Sequence, residues 1–376
     1  MVKVGILETQ AHEQVVYYLS EILTSGDHTV TLYTNNKIRE EMEELQGGAG
    51  NINLVVKKEE QTIWSFLSEV EKDVEKKDVL IIQPLYGGIR ELLPFARFNP
   101  KCKIMLIVFN INTWLFDISS LRKNLKRIGQ KFVRRQIVNN ADGYLVEYPV
   151  LEDYIRENSS TNKNLHYFVP TIYEESNIKK STEEITIVVP GNISPSRRNY
   201  NLILELFKKV SEPNGLLHLN LLGKPENSRG ERIIDRCKEL SEEGYNVSWA
   251  REWIPFEQFH KEIQQSDIIL APLMNKFDRF GVTEYYGKSK GSGCISDALR
   301  NGKPIVLPSH FQAEKVMGEG AVYYQNKPDL ESIMREIKNN SYFLRNLKTE
   351  AIKASERHRI SCQLNRFEEI ISDYLS

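Results

Sequence analysis

The chain has few cysteines. Cys102, Cys237, Cys294 and Cys362 are the only four in 376 residues, they lie far apart, and none forms a CxxC pair. That spacing excludes a disulfide framework or a structural zinc knot and fits a reducing cytoplasm. The Asn-x-Ser sequences at Asn158, Asn192, Asn246 and Asn339 are then chance matches. Net charge is nearly absent too: 50 Lys+Arg against 51 Asp+Glu leaves −1. A nucleic-acid protein driven by bulk charge is excluded, and any basic surface must be local. No apolar run approaches the roughly 18 residues of a membrane span. Met1-Val2-Lys3-Val4-Gly5-Ile6-Leu7 reads directly as a first strand, with no signal peptide before it. Several motifs are missing as well. There is no GxxxxGK[ST], no GxGxxG, no Asp-x-Asp and no HExxH. A P-loop, a dehydrogenase fingerprint and a metal-dependent centre therefore have no support.

What is present is a large apolar fraction in a regular rhythm. Hydrophobic residues make up 40% and charged residues 27%, enough for a packed core and too apolar for disorder. At roughly 150 residues per domain the length predicts two domains. Strand-like runs occur at Val2–Leu7, Thr29–Tyr33, Asp78–Gln83, Lys103–Phe109 and Asp142–Glu147, with the helical spacing of His12–Leu23 between the first two. The polar stretch Tyr173–Glu184 buries little and reads as a linker. The rhythm then restarts with strands at Ile185–Val189, Leu216–Leu222, Asn246–Trp249, Asp267–Ala271, Pro304–Leu307 and Ala321–Tyr324, with helices between them and helix from Leu330 onward. Strands alternating with helices predict parallel βαβ units. The expected fold is α/β, with two Rossmann-like doubly wound domains facing a central cleft. Residues 1–175 form the first, 176–184 the linker and 185–355 the second, with a last helix over 356–376. Ligands in such sheets bind beyond the carboxyl ends of the strands, so the loops after strands carry the functional reading.

Three such loops stand out in the second half. After Val189-Pro190, Gly191 lets backbone approach a ligand, and Arg197 and Arg198 stand just before a helix, where guanidinium suits phosphate; a solvated Arg pair is the alternative. Leu222-Gly223-Lys224 is a weaker signal, consistent with a plain turn. Lys290-Gly291-Ser292-Gly293 opens a helix with free backbone N–H groups beside two lysines, and Asp297 follows one turn later. That combination suits an anion, with the carboxylate free to accept from sugar or ribose hydroxyls; an ordinary glycine turn with a solvated first-turn acid, favoured by the helix dipole alone, is the alternative.

Together these residues make the second half resemble the nucleotide-sugar domain of GT-B glycosyltransferases of the retaining family 4 type. The resemblance rests on the Gly191 loop with Arg197-Arg198, on Leu222-Gly223, and on Ile254-Pro255 through Asp267-Ile268-Ile269-Leu270-Ala271-Pro272. Its strongest part is Gly291-Ser292-Gly293 with Asp297-Ala298-Leu299 and Gly302-Lys303-Pro304-Ile305-Val306. It covers about residues 185–325; the first half is similar in architecture and length only. The resemblance implies that Gly191, Arg197, Arg198, Lys290, Gly291, Ser292 and Gly293 hold a donor diphosphate. Gly223, Arg251, Trp253, Ile254 and Asp297 would then surround the nucleoside. It further implies a C-terminal helix, about Ile360–Leu375, crossing back to the first domain, and a retaining transfer that needs no metal or cofactor. UDP is the expected nucleotide and GDP the alternative. The chain departs from the family pattern at Ser289, where the first Glu of an E-x7-E motif would stand, and at Asn192, where an Arg would follow the glycine. Phe109-Asn110-Ile111-Asn112 replaces a His-containing turn. His12, Arg198 and Lys290 remain as candidate catalytic groups, and Glu8, His12, Asn110 and Asn112 as candidates on the acceptor side.

One segment of the first half is strongly basic. Ser119–Ala141 holds no acidic residue but seven basic ones: Arg122, Lys123, Lys126, Arg127, Lys131, Arg134 and Arg135. Leu121, Leu125, Ile128, Phe132 and Ile137 fall at helical spacing, with Trp114-Leu115-Phe116 upstream. Three readings stay open: a helix lying at the inner face of an anionic membrane, a receiver of a lipid-linked acceptor, and an internal helix with a solvated face. The expected activity is sugar transfer from a nucleotide-sugar to a glycan or lipid-linked acceptor, as in polysaccharide biosynthesis, by a cytoplasmic or peripheral membrane enzyme. The alternatives are a catalytically degenerate partner subunit and a nucleotide-sugar epimerase on the same architecture.

Overall fold

The computed structural model describes residues 1–46, 52–116, 125–175, 183–279 and 281–376. In the first half the strands are β1 (Lys3–Leu7), β2 (Thr29–Asn35), β3 (Ile52–Lys57), β4 (Val79–Ile82), β5 (Lys103–Ile107), β6 (Gly143–Val146) and β7 (Asn164–Tyr167). The helices are α1 (Glu13–Thr24), α2 (Asn36–Gln46), α3 (Ile63–Val74), α4 (Ile89–Arg97), α5 (Leu125–Asn140) and α6 (Pro149–Asn158), with a π-helical turn at Asn112–Phe116. The strands form one parallel sheet in the order β3-β2-β1-β4-β5-β6-β7. The strand order reverses between β1 and β4, and the crevice beyond their carboxyl ends is the switch point.

The second half repeats the plan. Its strands are β8 (Ile185–Pro190), β9 (Leu217–Leu222), β10 (Val247–Trp249), β11 (Ile268–Leu270), a hairpin of β12 (Lys276–Arg279) and β13 (Val282–Tyr285), then β14 (Ile305–Pro308) and β15 (Ala321–Tyr324). Its helices are α7 (Tyr200–Val210), α8 (Ser228–Glu242), α9 (Phe256–Gln265), α10 (Gly293–Arg300), α11 (Glu314–Met317), α12 (Lys327–Asn339), α13 (Ser341–Glu356) and α14 (Ile360–Leu375). The parallel sheet runs β10-β9-β8-β11-β14-β15, with its own switch point between β8 and β11. All six strands expected here are present.

Both faces of each sheet are covered, which is why the strands read as continuous apolar runs. Val4 and Ile6 of β1 pack on one face with α1, while Leu7 joins the core on the other, as the two-residue strand period requires. That second core does not stop at the domain boundary. It continues through Tyr148 and Leu151 to Ile295, Ala298, Phe311 and Val316 of the second half. The C-terminal helix α14 crosses back: Phe367, Ile370, Ile371 and Tyr374 pack into the first domain's core, with Phe367 edge-on to Phe168 at 5.0 Å between ring centres. Gln363 Nε2 pins the crossing by donating to the carbonyls of Val169 at 2.7 Å and Thr171 at 2.6 Å.

Four features differ from the sequence reading. β3 and β7 were not expected; both are short sheet edges with mostly half-buried or exposed residues, which blurs the apolar signal. The β12–β13 hairpin was missed for the same reason. The apolar face of α5 is turned by one position: Val133 and Ile137 are buried, while Phe132 is 67% exposed. Trp114 and Arg134 are buried, with the guanidinium 6.0 Å from the indole centre, so neither contributes to an exposed basic-aromatic face. Arg122 and Lys123, and the side chains of Leu121, Leu125, Lys126 and Arg127, lie outside the described residues, as does most of the expected linker. No described helix is long and apolar enough to cross a membrane.

Candidate functional site

The cleft between the domains is walled by the loops after β1, β4 and β6 on one side and those after β8, β9 and β13 on the other. On the second domain, a cavity of about 290 Å3 opens at the β8 switch point. Gly191, Asn192, Leu222, Gly223, Lys224, Trp253, Ile254, Gly293 and Asp297 line it, with Phe256 and Phe259 of α9 and Gln14 of α1. The structure thus gathers Gly191 and Gly293 of the expected diphosphate set with Gly223, Trp253, Ile254 and Asp297 of the expected nucleoside set. Arg251 is exposed and does not line the cavity.

Two glycines make this wall possible. Gly191 has φ 90°, a left-handed conformation that costs other residues about 1–2 kcal/mol. Gly223 lies so close that a Cβ on it would stand 2.4 Å from the Gly191 carbonyl oxygen. The turn this creates brings Arg198 back under the loop, where Nη1 donates to the Asn192 carbonyl at 3.1 Å and Nη2 to Cys294 Sγ at 3.5 Å. Arg198 is surrounded by protein, keeps a solvent-facing edge, and has no carboxylate partner among the described residues. A sequestered cation without a counter-ion is set up to receive an anion. Arg197, by contrast, is engaged: it lies 4.9 Å from the Phe277 ring centre and 3.6 Å from Glu226.

Asp297, one turn into α10, faces the same cavity with no hydrogen bond to its carboxyl among the described residues. Burial pushes that carboxyl up to about 7, against the opposing pull of Arg300 and Arg198. Before α10, Lys290 donates from Nζ to Asn110 Oδ1 at 3.0 Å across the domain boundary. Burial lowers its ammonium to about 8 although Glu147 favours the charged form. Ser292 is the N-cap of α10 and makes no side-chain cap bond, and Gly291 packs against Glu147 and Tyr148.

Across the cleft stands a second cluster at the β1/β4 switch point. His12 takes φ 85° at the start of α1, a strained conformation of the kind found at functional sites. Its Nδ1 is 3.1 Å from Glu8 Oε2 and its Nε2 2.8 Å from the Tyr86 hydroxyl. Arg279, from the hairpin, lies 4.4 Å from the Tyr86 ring centre. Burial raises the Tyr86 phenol to about 12.

The acceptor-side expectations are corrected in part. Glu8 is 2% exposed, and its other oxygen accepts from the amides of Gln10 at 2.5 Å and Ala11 at 3.1 Å. It orients His12 rather than meeting a ligand. Asn110 and Asn112 are each 2% exposed. Asn112 donates to the Thr283 carbonyl at 2.9 Å and accepts from Tyr154 at 2.9 Å, so both asparagines join the domains instead of lining open space. Glu284, missed in the sequence, is the partner of that join. It is fully buried and accepts from Thr113 N at 2.8 Å, Thr113 Oγ1 at 2.7 Å and Asn112 N at 3.2 Å. Glu147 and Tyr86 were missed as well; Glu147 directly follows β6 and Tyr86 stands in the loop four residues past β4, positions after strands that should have drawn attention to them. Among the described residues no group of three or more His, Cys, Asp or Glu is placed to hold a metal ion.

No protein-family model and no curated protein matches the chain. Solved structures do resemble it. The chain is similar to HepE from Anabaena, determined in complex with UDP and glucose, at 10% identity and a TM-score of 0.69 over 99% of this chain and 100% of that one. It is similar to TarM at 9% identity and a TM-score of 0.68 over 99% of each chain. It is also similar to a glycosyltransferase from Rickettsia africae, at 11% identity and a TM-score of 0.67 over 100% of this chain and 99% of that one. At such identities the likeness is one of fold. With two Rossmann-like parallel sheets facing a cleft, the chain has the GT-B fold.

Proposed function

We propose that this protein transfers a sugar from a nucleoside-diphosphate donor to a glycan or lipid-linked acceptor, without a metal and with retention. The observation that carries the reading is Arg198. It is a sequestered guanidinium with no carboxylate partner among the described residues, and Gly191 beside it lines the same cavity as the carboxyl of Asp297. Such a pair suits phosphate on one side and ribose hydroxyls on the other. Fold relatives determined with UDP or UDP-glucose support UDP as the nucleotide, with GDP as the alternative. Arg198, Lys290 and the amides at the start of α10 would stabilise the departing diphosphate in place of a metal. In a front-face transfer the C1–O bond breaks with its electron pair passing to the diphosphate. The acceptor hydroxyl bonds to C1, and its proton goes to a phosphate oxygen, so no protein nucleophile is required.

Titration calorimetry with UDP and GDP tests the reading. Arg198→Ala is expected to weaken diphosphate binding by about 30-fold or more and to leave uridine binding unchanged. Equal nucleotide affinity in the variant overturns it. Product analysis with bound donor then separates transfer from epimerisation.

A further inference from the structure

Glu147 follows β6 and has no part in the reading above. Its carboxyl has no hydrogen bond or salt bridge among the described residues, although protein surrounds it and only one edge meets solvent. Leu19, Phe109 and Phe168 flank it within the first domain. Facing it is the loop that opens α10: a Cβ built on Gly291 would stand 2.4 Å from Glu147 Oε2. The titratable groups around it are Lys290 of that loop, His12 at the start of α1, Tyr86 after β4 and the adjoining Tyr148. The two that can carry positive charge are tied elsewhere, His12 to Glu8 and Tyr86, and Lys290 to Asn110.

A carboxylate here would oppose any diphosphate held by the same loop, because like charges repel strongly where water is excluded. A proton on Glu147 removes that repulsion and supplies a hydrogen-bond donor instead. Burial already holds the carboxyl up at about 7, so the proton is within reach near neutrality.

We propose, resting on the reading of the cleft as a donor site, that Glu147 binds the donor as a carboxylic acid. Its O–H donates to the diphosphate held between Arg198 and Lys290, so that nucleoside diphosphate binding takes up a proton from solution. The group works without losing that proton: as the sugar–phosphate bond breaks, the hydrogen bond to the increasingly negative oxygen strengthens.

The test is calorimetry of UDP binding, or GDP where UDP does not bind, at pH 7 in buffers of different ionisation enthalpy. The titrating phosphate of the nucleotide cancels in the difference between wild type and Glu147→Gln. That difference is expected to be about half a proton, because a group with a midpoint near 7 is half protonated there when free and fully protonated when bound. Lys290 is largely charged already at pH 7 and contributes little. Glu147→Gln keeps a neutral donor, so its affinity should stay within about threefold of wild type at pH 7. It should also lose the decline with rising pH. Equal proton uptake in wild type and variant overturns the proposal while the donor-site reading stands. Absence of binding by any nucleoside diphosphate overturns both. If Glu147→Gln does not fold, Asp297→Asn decides: uptake that persists supports Glu147, and uptake that vanishes assigns it to Asp297.

Discussion

Single atoms decide whether the cavity wall can form. Gly223 has no room for a side chain, because the Gly191 carbonyl would be 2.4 Å from its Cβ and the Asn192 nitrogen 2.9 Å away. Both neighbours are backbone and cannot swing aside. Gly223→Ala should therefore push the two loops apart, costing about 1–3 kcal/mol in urea unfolding and weakening nucleotide binding in the same sample. An unchanged unfolding midpoint would show that the loops are not packed as described. At this scale the sequence was readable where a residue type matched its duty on its own. Glycine directly after a strand and an acid one turn into a helix both pointed to the cavity wall, while of the paired arginines Arg198 lies behind the Gly191 loop and Arg197 is engaged by Phe277 and Glu226. It was unreadable where a duty depends on a distant partner. Nothing local tells that Asn110 will meet Lys290 or that Asn112 will meet Thr283, so an open-cleft role was assigned to groups that are buried. The Glu8–His12 contact was hidden because four residues apart implies adjacency on a helix, and this turn is not helical.

Among whole elements, the β12–β13 hairpin matters most. It leaves the second domain, places Glu284 against the start of the π-helical turn at Asn112, and sets Arg279 over Tyr86. Removing the carboxylate takes the acceptor from two amides and from the hydroxyls of Thr113 and Ser289. Glu284→Ala should cost about 2 kcal/mol of stability and speed hydrogen exchange at the amides of Asn112 and Thr113 above other sites in the first domain. Exchange that rises uniformly, or not at all, would count against a local link. The hairpin was invisible in the sequence because each strand has only four residues, β12 alternates between exposed and half-buried, and β13 buries a glutamate where an apolar residue would have been the signal. The main sheets were legible for the opposite reason: burial on both faces leaves uninterrupted apolar runs. Helix α5 lies between these cases. Its helicity was evident, but a one-residue rotation put Phe132 outward and Val133 inward, a choice made by α4 packed against it.

For the molecule as a whole, a formal charge of −1 conceals groups held far from their ordinary titration. Burial holds Glu147 and Asp297 near 7, against 4.5 and 3.8. Both carboxyls thus keep protons in the folded chain that the unfolded chain has released. Their stabilisation is complete in acid and is lost as pH rises through 7. Buried His260 and His358, held down to about 2 and about 4, act with opposite sign, and their contribution is lost on acidification below 6.5. Lys290, lowered to about 8 from 10.5, is relieved of a buried charge as pH rises above 8. The melting temperature of the ligand-free protein should fall between pH 6.5 and 7.5 and recover toward pH 9. Glu147→Gln and Asp297→Asn should each flatten the fall, and a rise over that interval would refute the assignment.

The return of α14 has one more consequence, concerning the order in which the chain is made. A ribosome releases residues 1–175 long before Phe367, Ile370, Ile371 and Tyr374, yet those four complete the first domain's core. Folding during synthesis usually proceeds from the N-terminus. Here the first domain made must wait, with the apolar ground beside Phe168 uncovered, until the second has been synthesised. The domain that begins the sequence is thus the later of the two to be finished, and the growing chain needs protection over that interval.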